Sequence, residues 1–446
     1  MHPVIITVGA LELLRRRMDT EKKRPVIFVP GLYGSMSDEI VPQTGDWRFG
    51  MAASIYEPFI QSLEKMGYKK DENLFIAFYD WRKDCSFCAK KYLKNVINET
   101  KRITKAKKVD IICHSMGGLV SRAYAQSNYY ERDIEQLIMI CTPNIGATDA
   151  YYFWEGGRFP SNRNRKNNIE KILIEGYLWV LKKIHKTEND MEIIHKYLLG
   201  VRDLMPCKEY GNYLYTIEEN ENKSFIQYEN MIYKNDFLDH LYDTRNLLKK
   251  RNIKVTLIGG KGLETNELLR VEPNNEEKWP DGRVVSSINS NEGDGTVMLK
   301  SICAIDGDQY TFEGSHTDVL NRCDFAVRKK LGIENDNTEN QMDHNLNNYI
   351  SIRVKGNGKI SIKEIDKKKI NVLYDEETKE EDIYVEKYDE SLQWIIIKNK
   401  LENRTYLEYE ALDKDDMEIT IEDSLGRTKR INEIMNKNKF YRIKLS

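Results

Sequence analysis

The chain has 446 residues, of which 40% are hydrophobic and 31% are charged, and it carries a formal net charge of −2. This length exceeds one ordinary domain, and this mixture of residues is typical of a globular protein with a sizeable core. The balanced charge excludes a basic field that would attract nucleic acid, so we expect no nucleic-acid partner.

Residues 1–24 are predicted to form an N-terminal tail. Glu12 interrupts the apolar stretch from Val4 to Leu14, and an arginine cluster follows that stretch, whereas a secretory signal carries its positive charge in front. No run reaches the roughly 18 apolar residues of a transmembrane helix. The seven cysteines are an odd number spread thinly along the chain, which favours a reducing compartment over a disulfide framework. We therefore expect a cytoplasmic location.

Short apolar runs predict strands, and apolar residues at helical spacing lie between several of them. The predicted strands are residues 25–29, 74–78, 109–113, 136–140 and 254–258, and a further strand-like run covers residues 309–312. The main helical segments between them are residues 87–104 and the stretch that ends near Ser127. This alternation predicts a mainly parallel sheet with helices on both faces.

The segment between the fourth and fifth predicted strands is too long for a plain loop and shows no strand character. Residues 168–200 within it carry an apolar stripe at helical spacing. We predict a helical cap insertion at about residues 147–250, which covers the end of the sheet and is able to move. This cap is also the candidate for contact with a membrane surface.

The C-terminal region has a different texture. Residues 334–348 are polar and rich in Asn and Asp, which predicts a linker. Eight short strand-like runs separated by turn residues follow, which predicts an all-β, sandwich-like domain over residues 345–446. The catalytic domain would then span residues 25–335. No partner of the C-terminal domain is evident from its sequence.

The strongest chemical signal is the run from Cys113 to Gly118, which reads Cys-His-Ser-Met-Gly-Gly between a predicted strand and a predicted helix. This setting is that of a nucleophile elbow, a sharp turn that lifts a serine hydroxyl above a sheet. Ser115 is the candidate nucleophile, and Gly117 is the small residue two positions after it. Cys113 stands where the usual pattern has glycine.

An attacking serine needs donors for the developing oxyanion. The backbone N–H of Met116, directly after the nucleophile, is one candidate. The second donor is expected in a loop after an early strand, and residues 30–35 follow the first strand in this way. We assign the backbone N–H of Leu32 as the second donor.

A serine nucleophile also needs a base and an acid that orients the base. Among the seven histidines, His316 lies late in the catalytic region, in a loop after a strand-like run. Asp294, between two glycines, precedes it in the order Ser, Asp, His that this kind of hydrolase uses. Each residue alone can also be an ordinary turn or surface residue. Their order and setting together predict a triad.

Five motifs occur in matching order along the chain. They are Pro-Gly-Leu-Tyr-Gly-Ser at 30–35, Tyr-Asp-Trp-Arg at 79–82, His-Ser-Met-Gly-Gly at 114–118, Thr-Pro-Asn-Ile-Gly at 142–146 and Gly-Asp-Gly-Thr-Val at 293–297. As a set they resemble the lecithin:cholesterol acyltransferase-like lipases of the α/β-hydrolase superfamily over about residues 25–330. The resemblance implies an α/β-hydrolase fold, the triad of Ser115, Asp294 and His316, and a lipid or other acyl-ester substrate. It also implies an oxyanion hole at Leu32 and Met116.

Three aromatic residues are candidates for substrate binding. Tyr33 lies in the loop after the first strand, and Tyr152 and Trp154 lie in an aromatic cluster at the start of the cap. An acyl-chain pocket and simple core packing are equally compatible with this cluster. No group of side chains has convincing metal-ligand spacing, so we expect no metal and no cofactor.

Three functions are compatible with these residues. The leading one is hydrolysis of carboxylic esters through an acyl-serine intermediate. The second is a lipid acyltransferase, in which an alcohol takes the acyl group instead of water. The third is a non-catalytic binding protein on a hydrolase scaffold, which the full set of candidate catalytic residues disfavours.

Overall fold

A computed structural model describes residues 23–39, 44–160, 169–219, 221–274, 278–333, 349–366, 369–380, 382–389, 391–398 and 404–445. The predicted linker and all but the last two residues of the predicted tail lie outside the described residues. No helix among the described residues combines the length and apolar character needed to cross a membrane.

The elements run as follows. The strands are β1 Val26–Val29, β2 Met36–Glu39, β3 Thr44–Arg48, β4 Leu74–Ile76, β5 Val109–His114, β6 Ile134–Ile140, β7 Leu214–Ile217, β8 Lys223–Phe225, β9 Lys254–Lys261, β10 Thr265–Glu272, β11 Arg283–Ser290, β12 Asp308–Glu313, β13 Tyr349–Lys355, β14 Gly358–Asp366, β15 Lys369–Tyr374, β16 Ile383–Asp389, β17 Leu392–Lys398, β18 Arg404–Ala411, β19 Asp415–Asp423, β20 Thr428–Met435 and β21 Phe440–Lys444. The α-helices are α1 Ala53–Lys65, α2 Cys85–Cys88, α3 Lys94–Thr104, α4 Met116–Gln126, α5 Asp149–Gly156, α6 Ile169–His185, α7 Asp190–Tyr197, α8 Leu199–Arg202, α9 Asp236–Asp243, α10 Asn246–Lys250, α11 Leu299–Ile302, α12 Val319–Arg322 and α13 Asp324–Leu331.

The central sheet has six strands in the order β12-β9-β6-β5-β1-β4, and all neighbours are parallel. The inner strands β1, β5 and β6 are buried on both faces, whereas the edge strand β12 is largely exposed. In β1, Ile27 and Val29 pack into one apolar cluster, whereas Val26 and Phe28 pack into the other. Helices α3 and α4 cover the first face, and α1 and α12 cover the second. This confirms the predicted α/β-hydrolase class with a mainly parallel sheet.

The cap differs from the prediction because it is not purely helical. Helices α5 to α10 lie in the predicted interval, but β7 and β8 lie there too. They join β10 and β11, which follow the central strand β9, in a sheet of order β11-β10-β7-β8. The expectation that this interval has no strand character is therefore wrong. The link between β7 and β10 is parallel and joins segments far apart in the chain, so local periodicity does not reveal it.

The C-terminal region forms two sheets, in agreement with the predicted all-β class. One has the order β16-β17-β13-β19-β20 and the other β15-β14-β18-β21. Alternate apolar side chains of both sheets face each other and form a third core, as Ile352 and Ile419 of the first sheet and Ile362 and Leu407 of the second illustrate. The eight predicted runs miss β20, whose side chains are largely exposed.

Strand β17 is buried on both faces. The sandwich core covers only one of these faces, so another part of the protein must cover the second face. Ile395 and Ile397 face the sandwich core, whereas Trp394 and Ile396 join the core of the catalytic region. The indole of Trp394 covers Gly176 of α6, where a Cβ would lie 2.0 Å from the ring. The C-terminal sheet is therefore packed onto the cap. The predicted domain boundaries stay a prediction.

Two tyrosines of the same sheet reach the catalytic region. The hydroxyl of Tyr349 donates to the carbonyl oxygen of Met51 at 3.4 Å. The hydroxyl of Tyr384 donates to the carbonyl oxygen of Gly50 at 3.3 Å. The turn at residues 50–52, which precedes α1, is thus held from the C-terminal side.

We expect Trp394→Ala to lower the free energy of unfolding by about 3–5 kcal/mol, because it leaves a cavity against α6 and removes the indole bond to Ser351. Urea denaturation of the full chain measures this loss. Phe440→Ala is the matched control, since its ring is 51% exposed and its truncation should change stability by no more than about 0.5 kcal/mol. Equal, small effects of both variants would contradict the packing described here.

Candidate active site

Ser115 lies at a strained turn between β5 and α4. Its φ is +52°, in the left-handed region that non-glycine residues rarely adopt. The turn is tight: a Cβ on Gly117 would lie 2.4 Å from the carbonyl oxygens of Val29 and Pro30. A Cβ on Gly118 would lie 2.0 Å from Oγ1 of Thr142. The two glycines therefore allow α4 to start against the ends of β1 and β6, as a nucleophile elbow requires.

Cys113 fits where the usual pattern has glycine. Its side chain is fully buried, and its thiol donates to the carbonyl oxygen of Ile138 at 3.4 Å. Burial raises the pKa of this thiol, so it stays neutral. Cysteine in place of glycine at position 113 therefore introduces neither a steric clash nor a buried charge.

Asp294 and His316 are in direct contact. Nδ1 of His316 lies 2.8 Å from Oδ2 of Asp294. The other carboxylate oxygen accepts from the backbone N–H groups of Thr296 at 2.9 Å and Val297 at 2.7 Å. Burial opposes the charge of Asp294, but His316 and these N–H groups outweigh it and hold the pKa of the carboxyl below its usual value. The carboxylate is thus ionised and oriented.

Two further residues shape the position of this acid. A Cβ on Gly260, near the end of β9, would lie 2.8 Å from Cβ of Asp294, so glycine there makes room for it. Cys141, which follows β6, has a left-handed φ of +50°. Its thiol, the carboxylate of Asp294 and the imidazole of His316 lie within 4.8 Å of one another. Burial and the charge of Asp294 raise the pKa of Cys141, so the thiol acts as a neutral neighbour.

Ser115 and His316 open onto one cavity, which has about 1120 Å³ of empty space, part of it open to solvent. The cavity wall is mainly apolar. Its residues include Met51 and Ile55 from the region of α1, Phe153 from α5, and Val201 and Leu204 from the segment after α7. The sequence did not indicate these residues, because they come from segments that are far apart in the chain and meet only when the cap packs over the end of the central sheet.

Of the three predicted substrate-binding residues, one lines the cavity and two do not. Tyr33 lines the cavity. Tyr152 and Trp154 are not among the lining residues, although Phe153 between them is. The ring of Tyr152 meets Trp279 edge-on at 6.1 Å, and the ring of Trp154 lies 4.4 Å from His195. Both side chains therefore pack against residues that do not line the cavity.

The predicted oxyanion donors both belong to segments next to Ser115. Leu32 lines the cavity. Met116 begins α4, so its N–H belongs to the first turn and has no acceptor within the helix. The Leu32 loop lies close to Ser115, since a Cβ on Gly31 would lie 2.9 Å from Cβ of Ser115. The hydroxyl of Tyr79 holds the start of this loop by donating to the carbonyl oxygen of Pro30 at 2.9 Å.

The Tyr-Asp-Trp-Arg motif links the cavity to the cap helix α6. Asp80 and Arg82 form a buried ion pair, with Nε of Arg82 3.0 Å from Oδ1 of Asp80. Trp81 meets Tyr33 edge-on at 4.7 Å on one side and Tyr177 of α6 at 5.3 Å on the other. The motif therefore supports one wall of the cavity by packing.

Helix α5 contributes Phe153 to the cavity and carries a buried glutamate behind it. Glu155 is fully buried, and its carboxyl accepts from the backbone N–H of Asp281 at 3.4 Å. Burial, and then the charge of Asp281, raise the pKa of Glu155 to about 9. The carboxyl is therefore protonated at neutral pH.

Comparison with known protein families supports the resemblance that the motifs indicate. The sequence model of the family lecithin:cholesterol acyltransferase matches residues 48–162. No curated protein shows significant sequence similarity to the chain.

The solved structures that resemble the chain include hydrolases. The Tle4–Tli4 complex matches with a TM-score of 0.44 and 14% identity, over 70% of this chain and 99% of that one. The lipase BlEst2 of Bacillus licheniformis in its mature form matches with a TM-score of 0.37 and 15% identity, over 70% of this chain and 94% of that one. The product of lin2722 from Listeria innocua matches with a TM-score of 0.36 and 14% identity, over 72% of this chain and 100% of that one.

Glu155→Gln should reduce the decrease in the free energy of unfolding that occurs as pH rises from about 4.5 to about 9. Between the ordinary value of 4.5 and about 9, the folded state keeps a proton that the unfolded state releases, so the free energy of unfolding decreases as pH rises through this window. The contribution is at most about 1.4 kcal/mol per pH unit. Glutamine has nearly the same shape as the protonated glutamate side chain but does not ionise.

Urea denaturation at pH 5, 7 and 9 measures the effect. The variant and the wild type should be similar near pH 5 and diverge toward pH 9, with the variant more stable. Glu64→Gln, at an exposed position on α1, is the control and should follow the wild type. Parallel curves for Glu155→Gln and the wild type would contradict a protonated Glu155.

Proposed function

We propose that this chain, an α/β-hydrolase similar to the lecithin:cholesterol acyltransferases, cleaves carboxylic esters of lipids through an acyl-serine intermediate. Ser115 is the nucleophile, His316 the base and Asp294 the acid that orients it. The observation that carries the proposal is the contact of 2.8 Å between His316 and Asp294 beside the cavity that Ser115 also lines. The strained backbone of Ser115 adds support, since such outliers cluster at functional sites.

The reaction follows from this arrangement. Nδ1 of His316 is engaged by Asp294, so Nε2 is the nitrogen that takes the proton of Ser115. The serine oxygen attacks the ester carbonyl, and the N–H groups of Leu32 and Met116 stabilise the oxyanion. Collapse breaks the ester C–O bond, and His316 returns the proton to the leaving alcohol. Water then attacks the acyl-serine by the same steps and releases the acid.

The cavity wall supports an acyl chain as the group that is bound. Apolar side chains such as Met51, Ile55 and Phe153 suit a hydrocarbon chain, because burying it removes apolar surface from water. Exposed apolar residues in the cap support contact with a lipid surface. They are Ile217, Phe225 and Ile232.

A lipid acyltransferase is the second candidate, and the family-model match over residues 48–162 favours it. The first half of the reaction is the same, since both functions pass through an acyl-serine. The two differ only in whether water or an alcohol attacks this intermediate.

Ser115→Ala should lower turnover of p-nitrophenyl esters by about 10⁴-fold or more, because no other group in the mechanism attacks the carbonyl. The wild type should prefer hexanoate and longer chains to acetate. Ser127→Ala, at the end of α4, is the control and should keep wild-type turnover. Near-normal activity of Ser115→Ala would refute the assignment, and a preference for acetate would refute the acyl-chain site.

Product analysis separates the two candidates. A p-nitrophenyl ester is supplied with a long-chain alcohol in water, and the free acid and the new ester are quantified. We expect free acid as the main product, since the proposed function is hydrolysis. A new ester that exceeds the free acid, and that disappears in Ser115→Ala, would favour the acyltransferase.

A further inference from the structure

We infer that His114, the residue before the nucleophile, is a positioning residue that ties the oxyanion loop to the loop of the base. This inference rests on the proposed function, because it assigns a task to groups around Ser115. His114 ends β5, and both its side chain and that of Tyr56 are 2% exposed. It does not attack, accept or donate in the reaction proposed above.

A continuous series of hydrogen bonds runs through this residue. The backbone N–H of Gly31 donates to the hydroxyl oxygen of Tyr56 at 2.9 Å. The hydroxyl of Tyr56 lies 3.0 Å from Nδ1 of His114. Nε2 of His114 lies 3.0 Å from the backbone carbonyl oxygen of His316. One end of the series is therefore next to the proposed donor Leu32, and the other is the backbone of the base itself.

The proton positions in this series follow from the partners. A backbone carbonyl only accepts, so Nε2 of His114 carries the proton that it donates to His316. Burial, and then the nearby His316, lower the pKa of His114 to about 3, so the ring is neutral and Nδ1 has no proton. The hydroxyl of Tyr56 must then donate to Nδ1 while its oxygen accepts from Gly31. All bonds point in one direction, which makes them mutually consistent.

The space around Gly31 shows how closely these parts meet. A Cβ at this position would lie 2.9 Å from Cβ of Ser115, 3.0 Å from the hydroxyl of Tyr56 and 3.1 Å from Nδ1 of His114. The rings of His114 and His316 lie 4.8 Å apart. The oxyanion loop, α1, the elbow and the base loop therefore meet at one buried point. A neutral imidazole with two hydrogen-bonding nitrogens fits there, whereas an apolar side chain would leave both partners without their bonds.

The consequence is geometric. Without these hydrogen bonds, the Leu32 loop and the His316 loop keep their other contacts. They lose the connection through Tyr56 and His114 that fixes their relative position. Displacements of about 1 Å in such groups cost on the order of 10²-fold in rate. Tyr56 and His114 also line the cavity, but the variants leave apolar wall residues such as Met51 and Phe153 in place, so the loss should appear mainly in kcat and little in KM.

Four variants remove the hydrogen bonds of this series one at a time or together. Tyr56→Phe removes the hydroxyl. His114→Asn keeps an acceptor at the position of Nδ1 and loses the donor to His316, whereas His114→Gln keeps that donor and loses the bond to Tyr56. His114→Leu removes both bonds. Tyr151→Phe is the matched control, because it removes a buried tyrosine bond, that to the carbonyl oxygen of Gly282, away from the cavity.

Steady-state kinetics on a p-nitrophenyl ester and the rate of phosphonylation by a fluorophosphonate are measured for each. We expect kcat to fall about 10-fold in Tyr56→Phe, His114→Asn and His114→Gln, and about 100-fold in His114→Leu, with KM within about twofold of wild type. Tyr151→Phe should keep the wild-type kcat. Full kcat in His114→Leu, or no recovery in His114→Asn and His114→Gln relative to it, would overturn the inference.

Hydrogen exchange measured by mass spectrometry tests the tie without any turnover. Peptides that contain residues 30–35 and 313–318 should both exchange faster in His114→Leu than in wild type, and Tyr56→Phe should show the same pattern more weakly. Unchanged exchange in both peptides would overturn the inference. A folded wild type that reacts with neither ester nor fluorophosphonate would refute the proposed function, and the exchange pattern would still decide whether His114 holds the two loops.

Discussion

The close approach of α4 to the central sheet at Ser115 is the constraint around which the rest of the site is arranged. A left-handed backbone at Ser115 turns the chain directly from β5 into α4. This turn exists only because Gly117 and Gly118 present no Cβ to the carbonyl groups of Val29 and Pro30 and to Thr142. The elbow therefore depends on the ends of β1 and β6 as much as on its own sequence. A side chain at either glycine would push α4 away from both.

The parallel sheet then determines which other groups reach the elbow. Carboxyl ends of parallel strands meet at one edge, and the loops after β1, β6 and β12 carry Leu32, Cys141 and His316 to that edge. Asp294 arrives differently, because the chain leaves β9 for the β10–β11 pair before returning. An isolated bridge between Leu263 and Asp294 closes this excursion. The position of Asp294 thus depends on the sheet that β10 and β11 form with β7 and β8.

Local signals in the sequence were sufficient for the central strands and for the elbow, since apolar runs and a glycine-rich turn lie within a few residues of each other. They were not sufficient where a feature depends on distant partners. Strands β7 and β10 pair in parallel across a long separation. An aromatic cluster in the sequence does not say which of its members faces a cavity, and the structure turns Phe153 toward it while Tyr152 and Trp154 pack elsewhere.

His114 is a second case of this kind. In the sequence it is the neighbour of the candidate nucleophile Ser115, and no residue near it in the chain indicates a hydrogen-bond partner. Its contacts are with Tyr56 on α1 and with the backbone of His316, which lies 202 positions later in the chain. Only the folded sheet brings them together. The signal that could have suggested it is a polar, aromatic residue at the end of a buried strand, directly after the apolar run of Ile111, Ile112 and Cys113.

The C-terminal sheet that contains β13 and β17 is connected to the cavity wall by a series of packed side chains. Trp394 packs on Tyr177, Tyr177 on Trp81, and Trp81 on Tyr33, with each pair of rings meeting edge-on. Tyr349 holds the carbonyl of Met51, whose side chain lines the cavity. Close-packed interiors transmit small shifts, because side chains have few alternative positions. The sandwich therefore contacts the cavity wall indirectly from two sides, through α6 and through the turn before α1, although none of the sandwich residues that the structure describes lines the cavity.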